Sequence, residues 1–325
     1  MKTTRTTLAA VALAGAAALT LSGCGALGTA SAGGGTTDQG FPEVLRLGAI
    51  PAENSTNLAE GYDPIIAMLE DETGATVEVS QASDYAGVIE GLIADKVDLA
   101  FLGSFGYVLA THNDAAITPL ASVIAEKGAE PGYYSLGITQ GDNDAVDGLE
   151  DFAGKSVCFV DPGSTSGFLY PSAGLIDAGV IASGTEKDVA AGVEPVYAGG
   201  HDASALAVAS GDCEVGFAMQ SMVEETLPAA GDLKEGDLKE VWKSETISGS
   251  LFVGNDALGA DVNEKLRTLL TEKANADYLK EHGYCDGDCL LTDEDAWGFV
   301  PAEDADYDGT REVCTITKSD KCQEG

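Results

Sequence analysis

The 325-residue sequence has few basic residues: 17 Lys and Arg stand against 54 Asp and Glu, for a formal net charge of −37. Nucleic-acid binding and adhesion to an anionic membrane surface both depend on clustered positive charge, so this composition argues against both kinds of partner. An anionic ligand can still be held by local backbone dipoles, because surface charges beyond a Debye length are screened.

Long apolar runs are also scarce. One such run, Leu8 to Leu21, follows a basic start and ends in Leu21-Ser22-Gly23-Cys24. Its length and its small-residue end indicate a signal peptide at residues 1–23 rather than a spanning helix. The ending resembles a bacterial lipobox, which predicts lipidation of Cys24; the alternative is an ordinary signal peptide with an incidental cysteine. We therefore expect an exported protein that is lipid-anchored at the extracellular face of the cell membrane.

The chain after the signal peptide divides into a tether and a folded part. Residues 24–42 are mainly small and polar, as is typical of a flexible tether. Residues 43–325 are numerous enough for two lobes with separate cores.

Short apolar strands alternate with helical segments, twice in the same order. Strands at Leu45 to Ile50, Thr76 to Ser80 and Val97 to Leu102 begin the first pass, and a second pass starts at Ser156. This order predicts right-handed βαβ crossovers and two mostly parallel sheets.

Two apolar runs, Tyr133 to Thr139 and Gly249 to Gly254, are candidates for segments that carry the chain across and back. They would form a hinge beside a cleft at the carboxyl ends of the strands. We expect lobe 1 at 43–137, lobe 2 at 138–248, and a return to lobe 1 with a C-terminal tail at 249–325.

Six cysteines remain when Cys24 is set aside, an even number that favours disulfides in an exported protein. Several pairings are open; the positions favour Cys158 with Cys213, Cys285 with Cys289, and Cys314 with Cys322. The alternative is a zinc site formed by the four C-terminal cysteines. We expect no metal and no cofactor.

The segment Asp304 to Gly309 is similar to the first half of a calcium loop. Thr315 stands at the twelfth position, where such a loop requires a bidentate Glu. We therefore do not expect calcium there.

The strongest candidate for ligand binding is the turn Asp161 to Gly167, between a strand and a helix. Ser164, Thr165 and Ser166 place hydroxyl and N–H donors around one point, and the helix N-terminus adds partial positive charge. The alternative is an ordinary N-cap, where Ser and Thr are common. A serine nucleophile elbow is excluded, because Thr165 stands between the glycines where that motif needs Ser.

Three further turns reach the same predicted cleft. His201 follows a strand of the second lobe and can donate to an anion oxygen; the alternative is a structural histidine. Tyr85 opens a helix of the first lobe, and Ser104 and Tyr107 open the next one. The alternative for each tyrosine is packing in the core.

These segments together resemble the ABC transporter substrate-binding proteins for phosphate, phosphite and phosphonate, the PhnD-like branch of the type II periplasmic-binding fold. The segments that carry the resemblance are LRLGAIPAEN, SDYAGVIEGLIADKVDLAFLGSFGYVLA, GKSVCFVDPGSTSGFLYP, GGHDASALAVASGDCEVGFA and WGFVPAEDADYDGTRE. The resemblance implies an α/β fold of two lobes, each a mostly parallel sheet flanked by helices, joined by two crossing hinge segments.

The resemblance also implies residue roles. Ser164, Thr165 and Ser166 would seat the phosphorus oxyanion, His201 would donate to it, and Tyr85 would close over it. This chain departs from the family in two places.

One departure follows the strand EVGFAM, where the family usually has Asp and this chain has Gln220 followed by Ser221. A neutral amide offers no charge to an ammonium group, so we expect 2-aminoethylphosphonate to be a poorly preferred ligand. The other departure is Gly103-Ser104 in place of Gly-Pro, which adds a hydroxyl near the cleft.

The sequence therefore predicts a binding protein without catalysis, because no nucleophile–base pair is apparent. It would close around a small anion, as a monomer, and present the anion to an ABC permease and its ATPase. The alternatives are a receptor for another small organic anion or a vitamin precursor, and a ligand sensor for a membrane kinase.

Overall fold

The computed structural model describes residues 35–50, 58–82, 84–287, 289, 291–294 and 296–323. The predicted signal peptide, the predicted lipidation site Cys24 and the first part of the predicted tether lie outside these residues. Among the helices that are described, none combines the length and apolar character needed to cross a bilayer.

The elements that position the site are strands and helices in alternation. In the described part of the chain the strands are β1 (Val44–Ala49), β2 (Thr76–Gln81), β3 (Leu99–Leu102), β4 (Ile117–Ile124), β5 (Ser135–Gln140), β6 (Ser156–Phe159), β7 (Glu194–Tyr197), β8 (Val215–Met219), β9 (Leu238–Lys243), β10 (Leu251–Asn255) and β11 (Gly298–Pro301). The α-helices are α1 (Leu58–Thr73), α2 (Tyr85–Ile93), α3 (Ser104–His112), α4 (Tyr170–Asp177), α5 (Glu186–Gly192), α6 (His201–Ser210), α7 (Leu227–Ala230), α8 (Ala260–Glu272), α9 (Ala276–Glu281) and α10 (Asp308–Thr317).

The strands form two sheets, one in each lobe. The first has six strands in the order β11-β4-β10-β3-β1-β2, and the second has five in the order β7-β6-β8-β5-β9. Strand β1 runs parallel to β2 and β3, and β6 runs parallel to β7 and β8, whereas β10 and β5 run antiparallel to their neighbours. The predicted α/β fold with two sheets is confirmed; both sheets are mixed, since five of the nine neighbouring pairs of described strands are antiparallel.

Both faces of the first sheet are covered, which explains why its central strand reads as a continuous apolar run. All four residues of β3 are buried. Phe101 packs on one side with Phe252 and Phe299, and Leu102 belongs to the separate cluster on the other side. Side chains alternate across the strand, so a single segment supplies two cores.

The second sheet has the same two-sided burial. Aromatic side chains fill one face, where Phe159 lies near Phe168 and Phe217 at ring-centroid distances of 5.4 and 5.6 Å. Cys158 and Cys213 lie on the other face, and both are buried. The central strands β6 and β8 of the second sheet are therefore buried on both faces.

The chain crosses between the lobes just before β5 and returns just before β10. The two crossing segments pair at Tyr133 and Ile247. Strand β5 lies wholly in the second sheet, so the crossing precedes Ser135 rather than running through the predicted segment Tyr133 to Thr139.

The C-terminal helix α10 touches both lobes. It packs against α3 and α4, and Gly184 N donates to Thr317 O at 2.7 Å. Residues 308–323 therefore do more than complete the first lobe, because they also contact the second.

The three disulfides join the predicted pairs of cysteines. They link Cys158 to Cys213, Cys285 to Cys289 and Cys314 to Cys322. The first spans 55 residues of sequence and lies in a core, whereas the second spans four. A cross-link that closes a longer loop removes more entropy from the unfolded chain.

We expect the double variant Cys158→Ala/Cys213→Ala to lose about 2–4 kcal/mol of unfolding free energy. Chemical denaturation followed by circular dichroism measures this loss. The control Cys285→Ala/Cys289→Ala should lose less, because its loop is short. Equal losses in the two variants would contradict the loop-length argument.

Candidate functional site

A small cavity lies between the lobes, beyond the carboxyl ends of β1, β3, β6 and β8. Lobe 1 contributes Ile50, Tyr85 and Gly103, and lobe 2 contributes Ser164, Thr165, His201 and Met219. Tyr133, Ser250 and Glu294 complete the described lining, which includes no Lys or Arg. The volume of the cavity is ≈ 10 Å³, about the space that one water needs. The two lobes are therefore closed around a very small space.

Ser164 lies at the start of the helical segment that continues into α4. It is the N-cap of a π-helical turn, Thr165–Leu169, and its Oγ accepts from Gly167 N at 3.0 Å. The N-cap interpretation is therefore correct for this side chain, yet its own hydroxyl proton can still be donated into the cavity. Structural and binding roles are compatible here.

Thr165 joins the two lobes. Its Oγ1 accepts from Phe105 N at 2.8 Å, a backbone donor in the first turn of α3. A Cβ added at Gly103 would lie 3.0 Å from the same oxygen. The close approach of the lobes therefore depends on a small residue at position 103.

Ser166 is turned away from the cavity lining. Its backbone carbonyl accepts from Ser135 Oγ at 2.6 Å, and its own Oγ is buried without a hydrogen bond that meets normal distance and angle limits. The Tyr133 hydroxyl lies beside the hydroxyls of Thr165 and Ser166. Burial raises the pKa of Tyr133, so its phenol stays protonated and can donate.

His201 is buried at the first residue of α6. Its Nδ1 accepts from Met219 N at 3.0 Å, which leaves the proton of the neutral ring on Nε2. Burial lowers the pKa of His201 to about 3. The imidazole is therefore a neutral N–H donor at physiological pH and adds no formal charge to the cavity.

Tyr85 is buried at the first residue of α2, where it lines the cavity from lobe 1. The Asp161 carboxylate accepts from Gly163 N at 2.6 Å and from Tyr85 N, so it links the lobes beside the cavity. Burial raises the pKa of Asp161, with a further contribution from the charge of Asp84.

Ser104 and Tyr107 lie elsewhere in this conformation. The Ser104 hydroxyl accepts from Thr310 Oγ1 at 3.2 Å. Tyr107 packs on Tyr307 and donates its hydroxyl proton to Asp304 at 2.7 Å. Both side chains form hydrogen bonds to the C-terminal segment, because they leave α3 on the side that faces α10 rather than the cavity.

Gln220 and Ser221 follow β8 but do not line the cavity. The Gln220 amide donates to Glu224 Oε2 at 2.5 Å, one turn farther along the chain. Met219 stands at the cavity in their place.

Sequence reasoning missed the contributions of Tyr133, Ser250 and Glu294. Tyr133 and Ser250 belong to the two crossing segments, which the sequence analysis treated only as a hinge. Glu294 lies in the 3₁₀ turn Thr292–Glu294, far along the chain from the other lining residues, and no local motif marks it. Because the carboxylate of Glu294 lines the cavity, the site has an acidic group even though Gln220 is neutral.

The comparisons with known proteins decide the family. Residues 47–307 match the sequence model for "ABC transporter, phosphonate, periplasmic substrate-binding protein". The chain belongs to this family. Its members are substrate-binding components of importers, so the predicted α/β architecture and the extracytoplasmic setting agree with the family.

Two relatives give the degree of similarity. The "Phosphate-import protein PhnD" of Mycolicibacterium smegmatis is 58% identical over 289 residues, which cover 89% of this chain and 90% of the relative. The "Phosphonates-binding periplasmic protein" of Escherichia coli is 29% identical over 228 residues, which cover 69% of this chain and 64% of the relative.

Solved structures of phosphonate-binding proteins share the fold. A binding-protein component of an ABC phosphonate transporter from Pseudomonas aeruginosa has a TM-score of 0.71 and 28% identity, covering 85% of this chain and 86% of that chain. PhnD1 of Prochlorococcus marinus, solved with methylphosphonate, has a TM-score of 0.68 and 20% identity, covering 85% and 98%.

Because the buried imidazole of His201 is neutral, we expect the stability of the protein to depend on pH. The pKa of His201 is lower in the folded chain than in the unfolded chain, so the unfolded state binds the extra proton. Stability should fall as pH drops below about 6.5, by about 1.4 kcal/mol per pH unit from this group.

The variant His201→Gln should lack this component, which is measured as the difference in unfolding free energy between wild type and variant across mildly acidic pH. The control His112→Gln, at an exposed histidine of α3, should follow the wild type. If the unfolding free energy of His201→Gln changed with pH in parallel with that of the wild type, the buried ring would not be the cause of the pH dependence.

Proposed function

We propose that the chain binds a phosphorus oxyanion between its lobes, with inorganic phosphate as the ligand that it holds best, and delivers it to an ABC permease and its ATPase. The role is binding and presentation, without catalysis.

The observation that carries this proposal is the convergence of helix N-termini on the cavity. Tyr85 is the first residue of α2, Gly103 is the N-cap of α3, Ser164 is the N-cap of the helical segment leading into α4, and His201 is the first residue of α6. Each N-terminus carries partial positive charge, which suits an anion. This supplies attraction where the described lining has no Lys or Arg.

The size of the cavity supports a compact ligand. The space between the closed lobes is far smaller than a typical site for a drug-sized molecule. Any phosphorus oxyanion is larger than one water, so the lobes must open for each of them; an oxyanion without a carbon chain needs the least opening, which favours phosphate or phosphite over larger phosphonates. The Mycolicibacterium smegmatis relative is named as a phosphate-import protein, which agrees with this preference.

Lobe closure is the proposed signal to the permease. The bonds Phe105 N to Thr165 Oγ1 and Tyr85 N to Asp161 form only where the lobes meet. A ligand that touches donors of both lobes favours the closed form by its differential affinity for it. The Leu-Ser-Gly-Cys sequence supports a lipid anchor at Cys24, and we propose that the protein acts as a monomer on the outer face of the membrane.

Other small organic anions, a vitamin precursor or a sensor role remain the competing functions. Isothermal titration of the wild-type protein with phosphate, phosphite, methylphosphonate and 2-aminoethylphosphonate tests whether the ligand is a phosphorus oxyanion, and which one. We expect phosphate to bind most tightly and 2-aminoethylphosphonate weakly, because the cavity is small. Tightest binding of the aminophosphonate would contradict the preference, and no binding of any phosphorus oxyanion would contradict the function.

The hydroxyls of lobe 2 should account for much of the affinity. Ser164→Ala and Thr165→Val each remove a donor, and the second also breaks the bond to Phe105 N. We expect phosphate affinity to fall about ten- to a hundredfold in each variant. The control Ser210→Ala, at an exposed hydroxyl of α6, should bind as the wild type does. Unchanged affinity in both site variants would place the ligand elsewhere.

A further inference from the structure

The C-terminal hook, residues 308–323, folds back on itself at its end. It consists of α10, Lys318 in the left-handed region with φ at 53°, and the 3₁₀ turn Asp320–Cys322. The disulfide between Cys314 and Cys322 closes the end of α10 and this turn into one loop. The hook is therefore a cross-linked unit rather than a loose tail.

The hook is attached to lobe 1. It follows β11 of the first sheet, so chain connectivity places its start there. Thr310 Oγ1 donates to Ser104 Oγ of α3 at 3.2 Å, and the turn Asp320–Cys322 packs against the same helix. Cys314 is buried in an apolar cluster that also contains Leu109 of α3. Helix α3 is therefore the base on which the hook lies.

Lobe 2 donates two backbone hydrogen bonds to the hook. Gly184 N donates to Thr317 O at 2.7 Å, and Glu186 N donates to Asp320 Oδ2 at 2.7 Å. A Cβ added at Gly184 would lie 3.3 Å from Thr317 Cβ, so the two backbones approach closely. The acceptor of the second bond is a carboxylate, and such charge-assisted bonds are stronger than neutral ones. The hook therefore spans the boundary between the lobes.

The hook also reaches the side of lobe 2 that faces lobe 1 near the ligand cavity. Lys321 lies close enough to Asp161 to interact with it electrostatically, and both residues line a second cavity that also contains Tyr85. Asp161 in turn accepts from Tyr85 N of lobe 1. The end of the hook therefore lies next to a bond that forms only where the lobes meet.

Both acceptors for lobe 2 lie within the disulfide loop. Thr317 and Asp320 stand between Cys314 and Cys322, which are 8 residues apart in sequence. So short a loop can adopt few conformations, and a contact made by an ordered loop costs less entropy than one made by a flexible chain. The disulfide therefore presents both acceptors to lobe 2 in a fixed arrangement.

We propose that the C-terminal hook is a latch that stabilises the closed form of the protein. When the lobes separate about the crossing segments, the hook cannot remain both on α3 and on residues 184–186, so one set of contacts must break. These contacts therefore add to the stability of the closed form alone. Because a ligand enclosed by both lobes binds with an apparent affinity that scales with the population of that form, the latch raises affinity without touching the ligand.

Hydrogen exchange of the Phe105 amide tests the latch without any ligand. Phe105 N donates to Thr165 Oγ1 of the opposite lobe, and it takes no part in the bonds between the hook and lobe 2. We expect this amide to exchange about two- to tenfold faster in Asp320→Ala, which removes one acceptor, than in the wild type. Amides of β1, the strand between β2 and β3, should keep their wild-type rates, since they report global unfolding. Nuclear magnetic resonance resolves the individual amides.

Isothermal titration with inorganic phosphate tests the consequence for binding, and this arm rests on the proposed function. Asp320→Ala should bind phosphate about two- to tenfold more weakly than the wild type, because less of the protein is closed. The control Asp237→Ala removes an exposed carboxylate that accepts from Lys234 N within lobe 2. It should match the wild type in phosphate affinity and in Phe105 exchange.

Removal of the cross-link gives a second, independent test. Cys314→Ala/Cys322→Ala loosens both acceptors at once, so its effects should have the same direction as those of Asp320→Ala. The control Cys285→Ala/Cys289→Ala removes a disulfide outside the hook and should leave Phe105 exchange and phosphate affinity unchanged. Circular dichroism establishes that each variant is folded.

Two results would overturn the latch. One is faster exchange confined to the Gly184 and Glu186 amides, with Phe105 exchange and phosphate affinity as in the wild type, because the hook would then be only a local brace. The other is an equal acceleration at Phe105 and at the β1 amides, which would trace the effect to unfolding of the whole protein. A wild type that binds no phosphate would instead defeat the proposed function, and Phe105 exchange alone would then decide the role of the hook.

Discussion

The site depends on a set of helix N-termini that meet where two sheets face each other. The described lining holds no Lys or Arg, so the attraction for an anion must come from partial charges on the backbone and from neutral donors. Such partial charges matter only at close range, since their effect falls off within the first turn. The lobes must therefore close tightly, and the approach of Gly103 to Thr165 shows how little space they leave.

This arrangement explains how a protein with a net charge of −37 could take up an anion. The acidic groups are mostly at the surface, where solvent and salt screen them. Inside the cavity, burial keeps His201 neutral, and its bond from Met219 N fixes which ring nitrogen carries the proton. Neutral donors held at fixed positions can bind a charged ligand without the desolvation cost of a buried cation.

The same elements that form the site also connect the lobes. Asp161 and Thr165 each accept a backbone N–H from the opposite lobe, beside the ligand cavity. The crossing segments contribute Tyr133 and Ser250 to the lining as well as joining the sheets. The residues proposed to contact the ligand therefore also join the lobes, which would couple binding to closure. Helix α10 adds contacts to both lobes and would have to adjust when they separate.

The sequence by itself determined the alternation of strands and helices and the turn Asp161 to Gly167, because these depend on short-range patterns. It favoured the cysteine pairs that the structure shows but left other pairings open. It also placed Ser164, Thr165, His201 and Tyr85 at the ends of strands that meet at one edge. Only the tertiary structure decided which side chains face the cavity. Ser104 and Tyr107 are turned toward α10 by the direction in which they leave α3, and Glu294 reaches the site from a part of the chain with no local signal. Local patterns encode secondary structure and turns, whereas the orientation of a side chain depends on what packs against it from distant segments.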